Sequence, residues 1–276
     1  MSLFHPYTKE GKGVEKREER PIRPLYFFEI FGRKFWKLIQ LNLLYIALTF
    51  PVWIAVGLLI FNDKLLTDFS FGLIGGFLRI LAYVFIIFSP LIGPATAGMT
   101  YVLKSFAREE PIFVFSDFFE HAKKNFKQST LLTVINGIFM LSFSFTLTGG
   151  DSLLFAGGST TLSTLQLPLL IVNLILIFVN YYAFSIMVMF EQKFMDLIKN
   201  SFIFALAKLP LNLFILIIIC AVCYFAYHYL VIGLLLTLVL LYAFSGFLVV
   251  FSVYPTIEKH MLIPALKLEK ASEETL

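Results

Sequence analysis

The chain has 276 residues, of which 59% are apolar and only 14% charged, with a mean hydropathy of +0.85. That much polar surface cannot coat a water-soluble globule of this size, so a soluble domain is excluded and an integral membrane protein is expected. The net charge of +4 reflects topology before any nucleic-acid partner, because Lys and Arg number nine in residues 1–37, one in 62–70, five in 101–129, three in 191–209 and three in 257–276. This alternation of basic and non-basic connections puts both termini on the cytoplasmic side of the cell membrane.

Residues 1–24 mix both charge signs with Gly and Pro and have almost nothing to bury, which predicts a mobile cytoplasmic tail with no cleaved signal peptide. From residue 25 to 37, Phe28, Phe31 and Phe35 recur at helical spacing, the pattern of an amphipathic helix lying in the interface. A first span follows over residues 38–61, kinked at Pro51, and a short external linker, NDKLLTDFS, leads to a second span from Phe71. Within SPLIGPATAGM, Pro90, Gly93 and Pro94 interrupt the helical ladder before TYVLKSFA restores it, and such a break either makes a packing joint or lines a cavity. The small residues Ala95, Ala97 and Gly98 favour the joint.

Ser116 reads as the N-cap of the clearest amphipathic helix, with Asp117 and Glu120 in the first turn and Lys123, Lys124 and Lys127 in the last. Phe115, Phe118, Phe119, Ala122 and Phe126 are expected on one face of it. A third span covers residues 131–147, a Gly/Ser/Thr-rich external loop 148–166, and a fourth span residues 165–190. A cytoplasmic stripe of Phe194, Leu197, Ile198 and Phe202 precedes residues 209–260, which are long enough for two spans with a tight turn near 226–231. The expected fold is therefore all-α: a polytopic six-helix transmembrane bundle with cytoplasmic amphipathic helices, one membrane domain over residues 25–262 and a cytoplasmic tail over 263–276. Segments beginning at Phe27, Phe118 and Lys193 each place a basic-aromatic helix before an apolar span, which fits a threefold repeat of two-span units.

Few residues point to chemistry. Arg79 is the one basic residue within a span and reads either as a snorkelling anchor or as part of an intramembrane site. Asn42, Asn136, Asn173, Asn180 and Asn212 lie in apolar runs, where amides hydrogen-bond helix to helix or, less readily, meet sugar hydroxyls. Arg79, Pro90, Gly93, Pro94, Asn173 and Asn180 form the candidate intramembrane site. Cys220 and Cys223 have no companion ligands and read as small apolar helix residues. No HExxH, phosphate-binding loop, GxSxG or intramembrane carboxylate pair occurs, so no catalytic residue, cofactor or metal is assigned.

The stretch GPATAGMTYVLKSFAREEP…VFSDFFEHAKKNFKQ, residues 93–128, resembles the YesL-like family of bacterial membrane proteins. The matching motifs are Pro94 to Ala97, Asp117 to Phe119 and Asn125 to Gln128. The resemblance implies association with bacterial carbohydrate uptake and breakdown, for a family that has no established biochemical activity. The expected function is a non-enzymatic accessory subunit that docks through Asp117, Phe118, Phe119, Lys123, Lys124, Asn125, Phe126 and Lys127. The alternative is a small-molecule transporter in its own right. The expected partners are the lipid bilayer, subunits of a sugar uptake system and further copies of the chain, with no nucleic acid.

Overall fold

A chain this apolar must satisfy its backbone internally, and helices do so within one segment. The computed structural model describes residues 23–65, 85, 89, 91–147 and 160–264, and among these there is no strand. The chain runs through α1 (Arg23–Arg33), α2 (Phe35–Leu65), α3 (Ile92–Ala107), α4 (Val114–Lys124) and α5 (Phe126–Leu147). It continues through α6 (Thr160–Met189), α7 (Phe194–Ala207), α8 (Leu209–His228), α9 (Leu230–Leu236) and α10 (Tyr242–Ile257). One π-helical turn, Thr237–Leu241, joins α9 to α10, and a second, Glu258–Leu262, extends α10.

Among the described residues, four segments are long and apolar enough to cross a membrane: Phe35–Ala55, Leu167–Met189, Leu209–His228 and Val231–Leu262. They correspond to the expected first, fourth, fifth and sixth spans. The expected third span falls within the 22-residue α5. The first four residues of the expected linker, Asn62 to Leu65, continue α2, whereas residues 66–70, the start of the second span, the loop from 148 to 159 and most of both tails lie outside the described residues. The tight turn falls where the sequence put it, at Tyr229, and Gly233 packs there so closely on the Ala226 carbonyl that no Cβ fits.

The bundle is built around α3. Buried positions cover nearly its whole circumference, including Ala95, Ala97, Met99, Val102, Leu103 and Phe106. Met99, Val102, Leu103 and Phe106 join Phe27, Ile30, Leu38, Leu41 and Phe247 in one apolar core, while Ala97 belongs to a second with Tyr182, Ile186, Leu197, Val253 and Ile257. Three glycines permit the close approaches. Gly93 lies against the Ser129 carbonyl of α5, a Cβ on Gly98 would stand 2.5 Å from the Phe118 carbonyl of α4, and one on Gly246 would stand 2.8 Å from Leu103 Cδ1. The expected interruption is shorter than the sequence suggests: Ser89 is non-helical and Leu91 a turn, and helix resumes at Ile92 so that the GPATAG segment is itself helical, because Pro94 sits in the first turn of α3, where an N–H has no intrahelical acceptor to lose.

The π turn in the last span is secured from outside. Where an α ladder changes to a π ladder, backbone groups lose their regular partners. Asn42 of α2, fully buried, supplies substitutes. Its Nδ2 donates to the carbonyls of Thr237 (2.9 Å) and Leu238 (2.8 Å), and its Oδ1 accepts from the N–H of Ala243 (3.0 Å).

Two local expectations need correcting. The helix expected to start after Ser116 begins at Val114, because the Asp117 carboxylate accepts the Phe113 N–H at 2.9 Å and so fixes the first turn earlier. In α1 the buried positions are Phe27 and Ile30, with Phe28 65% exposed, because Phe27 stacks on Phe247 at 5.1 Å and sets the rotation of the helix.

Asn42→Leu leaves three backbone groups without partners in apolar surroundings and is expected to cost about 2 kcal/mol or more. Asn173→Leu removes only a bond back to the Leu169 carbonyl of its own helix (2.9 Å), and its cost is expected to stay within about 0.5 kcal/mol. Thermal midpoints of the two variants in detergent check this, and equal shifts would contradict the role given to Asn42.

Candidate functional site

Among the described residues, ion pairs fall on α1, the end of α3 and the turn after it, the end of α4 and the α6–α7 connection. The chain leaves α3 through Arg108, whose N–H and those of its neighbours close the helix: Glu109 N–H bonds to Phe106 O (3.1 Å) and Glu110 N–H to Ser105 O (2.9 Å). This paired closure needs a left-handed residue, and Glu109 takes it at φ 59°, where glycine is usual. The side chain offsets the backbone cost. Its carboxylate accepts from the Tyr26 hydroxyl at 2.5 Å and pairs with Arg33 at 2.9 Å, tying α1 to the end of α3.

Next to it, Glu110 collects two cations, Lys104 at 3.3 Å and Arg108 at 3.0 Å. Lys104 also lies 4.6 Å over the Tyr101 ring, and Arg108 5.7 Å over that of Tyr254. Tyr254 in turn donates to Glu258 at 3.2 Å. Both cations stand at the negative end of the α3 dipole, which favours them. Lys104 is only 9% exposed; burial lowers its pKa, and Glu110 opposes that fall.

His121 of α4 stacks on Tyr101, with ring centroids 3.3 Å apart and planes inclined by 12°. Burial is the main cause that lowers its pKa, with Lys124 and Lys104 acting the same way and Glu120 and Asp117 against. Its Nδ1 is buried and has no hydrogen-bond partner. Burial therefore disfavours the protonated ring.

The eight docking candidates separate into three groups. Asp117 starts α4, and Phe118 is fully buried against Gly98. Phe119 remains 38% exposed and meets Phe115 edge to face at 4.9 Å, so the single aromatic face expected of this helix is divided. Lys123, Lys124, Asn125, Phe126 and Lys127 line a groove of about 860 Å³ between the α4–α5 joint and the α6–α7 connection. Lys124 bridges that groove to Glu191 at 2.8 Å, and Gln128 donates to the Gln192 carbonyl at 2.7 Å.

Of the intramembrane candidates, Arg79 and Pro90 lie outside the described residues, and Gly93 and Pro94 are buried in helix packing. Asn173 and Asn180 do come together, along a hollow of about 260 Å³ between α5 and α6. Asn180 exchanges two hydrogen bonds with Asn136, at 2.8 and 3.0 Å. Asn212 accepts from Tyr182 at 3.1 Å and donates to the Ala205 carbonyl at 2.9 Å. Among the described residues, no three His, Cys, Asp or Glu side chains are grouped to hold a metal.

Sequence reasoning passed over Lys104, Glu109, Glu110, Tyr101 and His121. The one available signal was Lys104 itself, set on the apolar side of TYVLKSFA.

Glu110→Gln leaves Lys104 without its counter-charge and is expected to cost about 2 kcal/mol, less than a fully buried pair because Glu110 is partly exposed. Lys104→Met is expected to be nearly neutral, and the double variant to recover most of the loss, in urea or thermal unfolding. A pH series gives a second check. With the folded-state pKa of His121 lowered, the unfolded chain binds the proton first, so stability is complete above the ordinary histidine range and falls as pH drops through it. His121→Gln is expected to flatten the melting curve's pH dependence between about 7.5 and 5.5.

Comparison with known proteins gives one match of limited extent. No curated protein and no solved structure matches the chain. Residues 38–147, which take in α3, α4, α5 and most of α2, are similar to a family described as "Protein of unknown function, DUF624".

Proposed function

We propose that this protein is a non-enzymatic, multi-pass membrane protein that works as an accessory or assembly subunit. In this reading it has six spans, both termini are cytoplasmic and the polar end is its working surface. Three times the chain passes through a single residue from a short helix into a long one, at Lys34, Asn125 and Lys208, which supports a threefold repeat of two-span units. The charged side chains near α3 are engaged with one another rather than converging on an open site, which favours a structural role over catalysis.

The observation that carries the docking reading is the outer face of α4. Phe118 and Ala122 anchor that helix in the core, while Phe113 (81%), Phe115 (68%) and Phe119 (38%) stay exposed beside charged residues. A firmly held helix that leaves aromatic area unpartnered resembles the centre of a protein interface. The resemblance to YesL-like proteins suggests a subunit of a bacterial carbohydrate uptake system as the partner. A second reading, a small-molecule transporter, draws on the amide-lined hollow of Asn136, Asn173 and Asn180.

Purification in native nanodiscs, with mass spectrometry of what stays bound, tests the first reading. A stoichiometric uptake subunit is expected with the unmodified chain and lost from the variant carrying Phe113→Ser, Phe115→Ser and Phe119→Ser. Recovery of the chain alone, together with saturable sugar binding abolished by Asn173→Leu, would favour the second.

A further inference from the structure

The groove between the α4–α5 joint and the α6–α7 connection has a charge pattern that fold stability does not require. Lys123, Lys124, Lys127 and Lys193 line it against one carboxylate, Glu191. Lys123 and Lys124 complement the C-terminal end of α4, as helix dipoles favour. Lys127 and Lys193 have no such reason, for Lys127 lies in the first turn of α5 and Lys193 immediately precedes α7. Among the described residues, the single ion pair in the groove joins Lys124 to Glu191, with side chains 55% and 84% exposed. A pair so open to solvent is readily exchanged for a stronger anion.

The groove is also built and placed for an amphiphile. Gln128 holds the Gln192 carbonyl at 2.7 Å, and Asn200 donates to the Gln192 side-chain oxygen at 3.0 Å, so one wall is fixed to the other before any ligand enters. The membrane-crossing segment Leu167–Met189 ends at the groove, which places it at the level of lipid headgroups. Phe126, 46% exposed, and Phe190 add apolar wall beside the lysines.

We propose that this groove binds the phosphate-bearing headgroup of an anionic phospholipid, with Lys124, Lys127 and Lys193 as the recognising cations and Phe126 and Phe190 flanking the start of the acyl chains. Basic pockets beside membrane-crossing helices recognise acidic lipids through this combination of charge and position. The lipid also gives the two connections a common counter-charge. The site is independent of the exposed Phe113, Phe115 and Phe119 face.

The test uses the full chain, purified without partners and reconstituted in nanodiscs of phosphatidylcholine with or without phosphatidylglycerol. Phosphatidylglycerol is expected to raise the thermal midpoint and to remain on the protein in native mass spectrometry. The variant Lys124→Gln, Lys127→Gln, Lys193→Gln should retain about tenfold less of that lipid, while melting unchanged in phosphatidylcholine alone. A variant of equal charge, Lys199→Gln, Lys208→Gln, Lys259→Gln, should retain it normally. Equal loss in both variants would reduce the effect to general surface attraction and overturn the site. So would an identical midpoint shift from inorganic phosphate without phosphatidylglycerol, since the ligand would then be a soluble anion. Because no partner protein is present, failure here leaves the docking reading untouched.

Discussion

The whole arrangement depends on a helix with no free side. α3 is surrounded by α2, α4, α5, α6 and α10, so each neighbour must approach a surface that cannot retreat. That requirement selects the small residues. Gly93 admits the backbone of α5 and Gly98 that of α4, while on the opposite contact it is the neighbour, Gly246 of α10, that gives way to Leu103. Close backbone approach replaces the hydrophobic driving force that is missing between helices in lipid. The larger residues of α3 then fill what the glycines leave, and two cores share one central element.

A helix buried on all sides must still end somewhere, and the polar end follows from that. The last turn of α3 carries Lys104 into the interior, where a lone ammonium is costly, so Glu110 has to turn back towards it. Glu110 can do so because Glu109 accepts the left-handed conformation that reverses the chain. Glu109 holds that conformation while bound to Tyr26 and Arg33, which positions α1. One chain reversal thus connects the central helix, the buried charge and the N-terminal helix. The same economy governs the amides: Asn42, Asn136, Asn180 and Asn212 all bond across helices, and Asn42 makes a change of helical ladder tolerable in the last span.

Against this dense interior, the faces left open are distinctive. α8 buries little of its own surface, only Asn212 and Ile215 fully, as suits a helix with lipid around it. The exposed aromatics of α4 and the lysine groove differ from that in combining charge with apolar area at the end of the membrane-crossing segments. The two surfaces lie towards different ends of α4, with Phe113 and Phe115 at its start and Lys123 and Lys124 in its last turn.

What the sequence determined by itself is the kind of object and the path of most of the chain. Apolar run length fixes which segments can cross a bilayer, and this placed the segments at 167–189, 209–228 and 231–262 to within a few residues and the first, expected over 38–61, inside the helix Phe35–Leu65. The short lead-in helices were equally legible, since a periodic aromatic stripe interrupted by lysines is a local signal. Helix rotation was not legible. Phe27 rather than Phe28 faces inward, and Phe118 parts from Phe115 and Phe119, because neighbours more than a hundred residues away in the first case and α3 in the second decide which side is core. Nor could spacing show that Lys104 is buried, that Glu109 holds α1, or that lysines from three elements share one groove. Those are facts of juxtaposition between segments far apart in the chain. Only the tertiary packing around α3 brings them together.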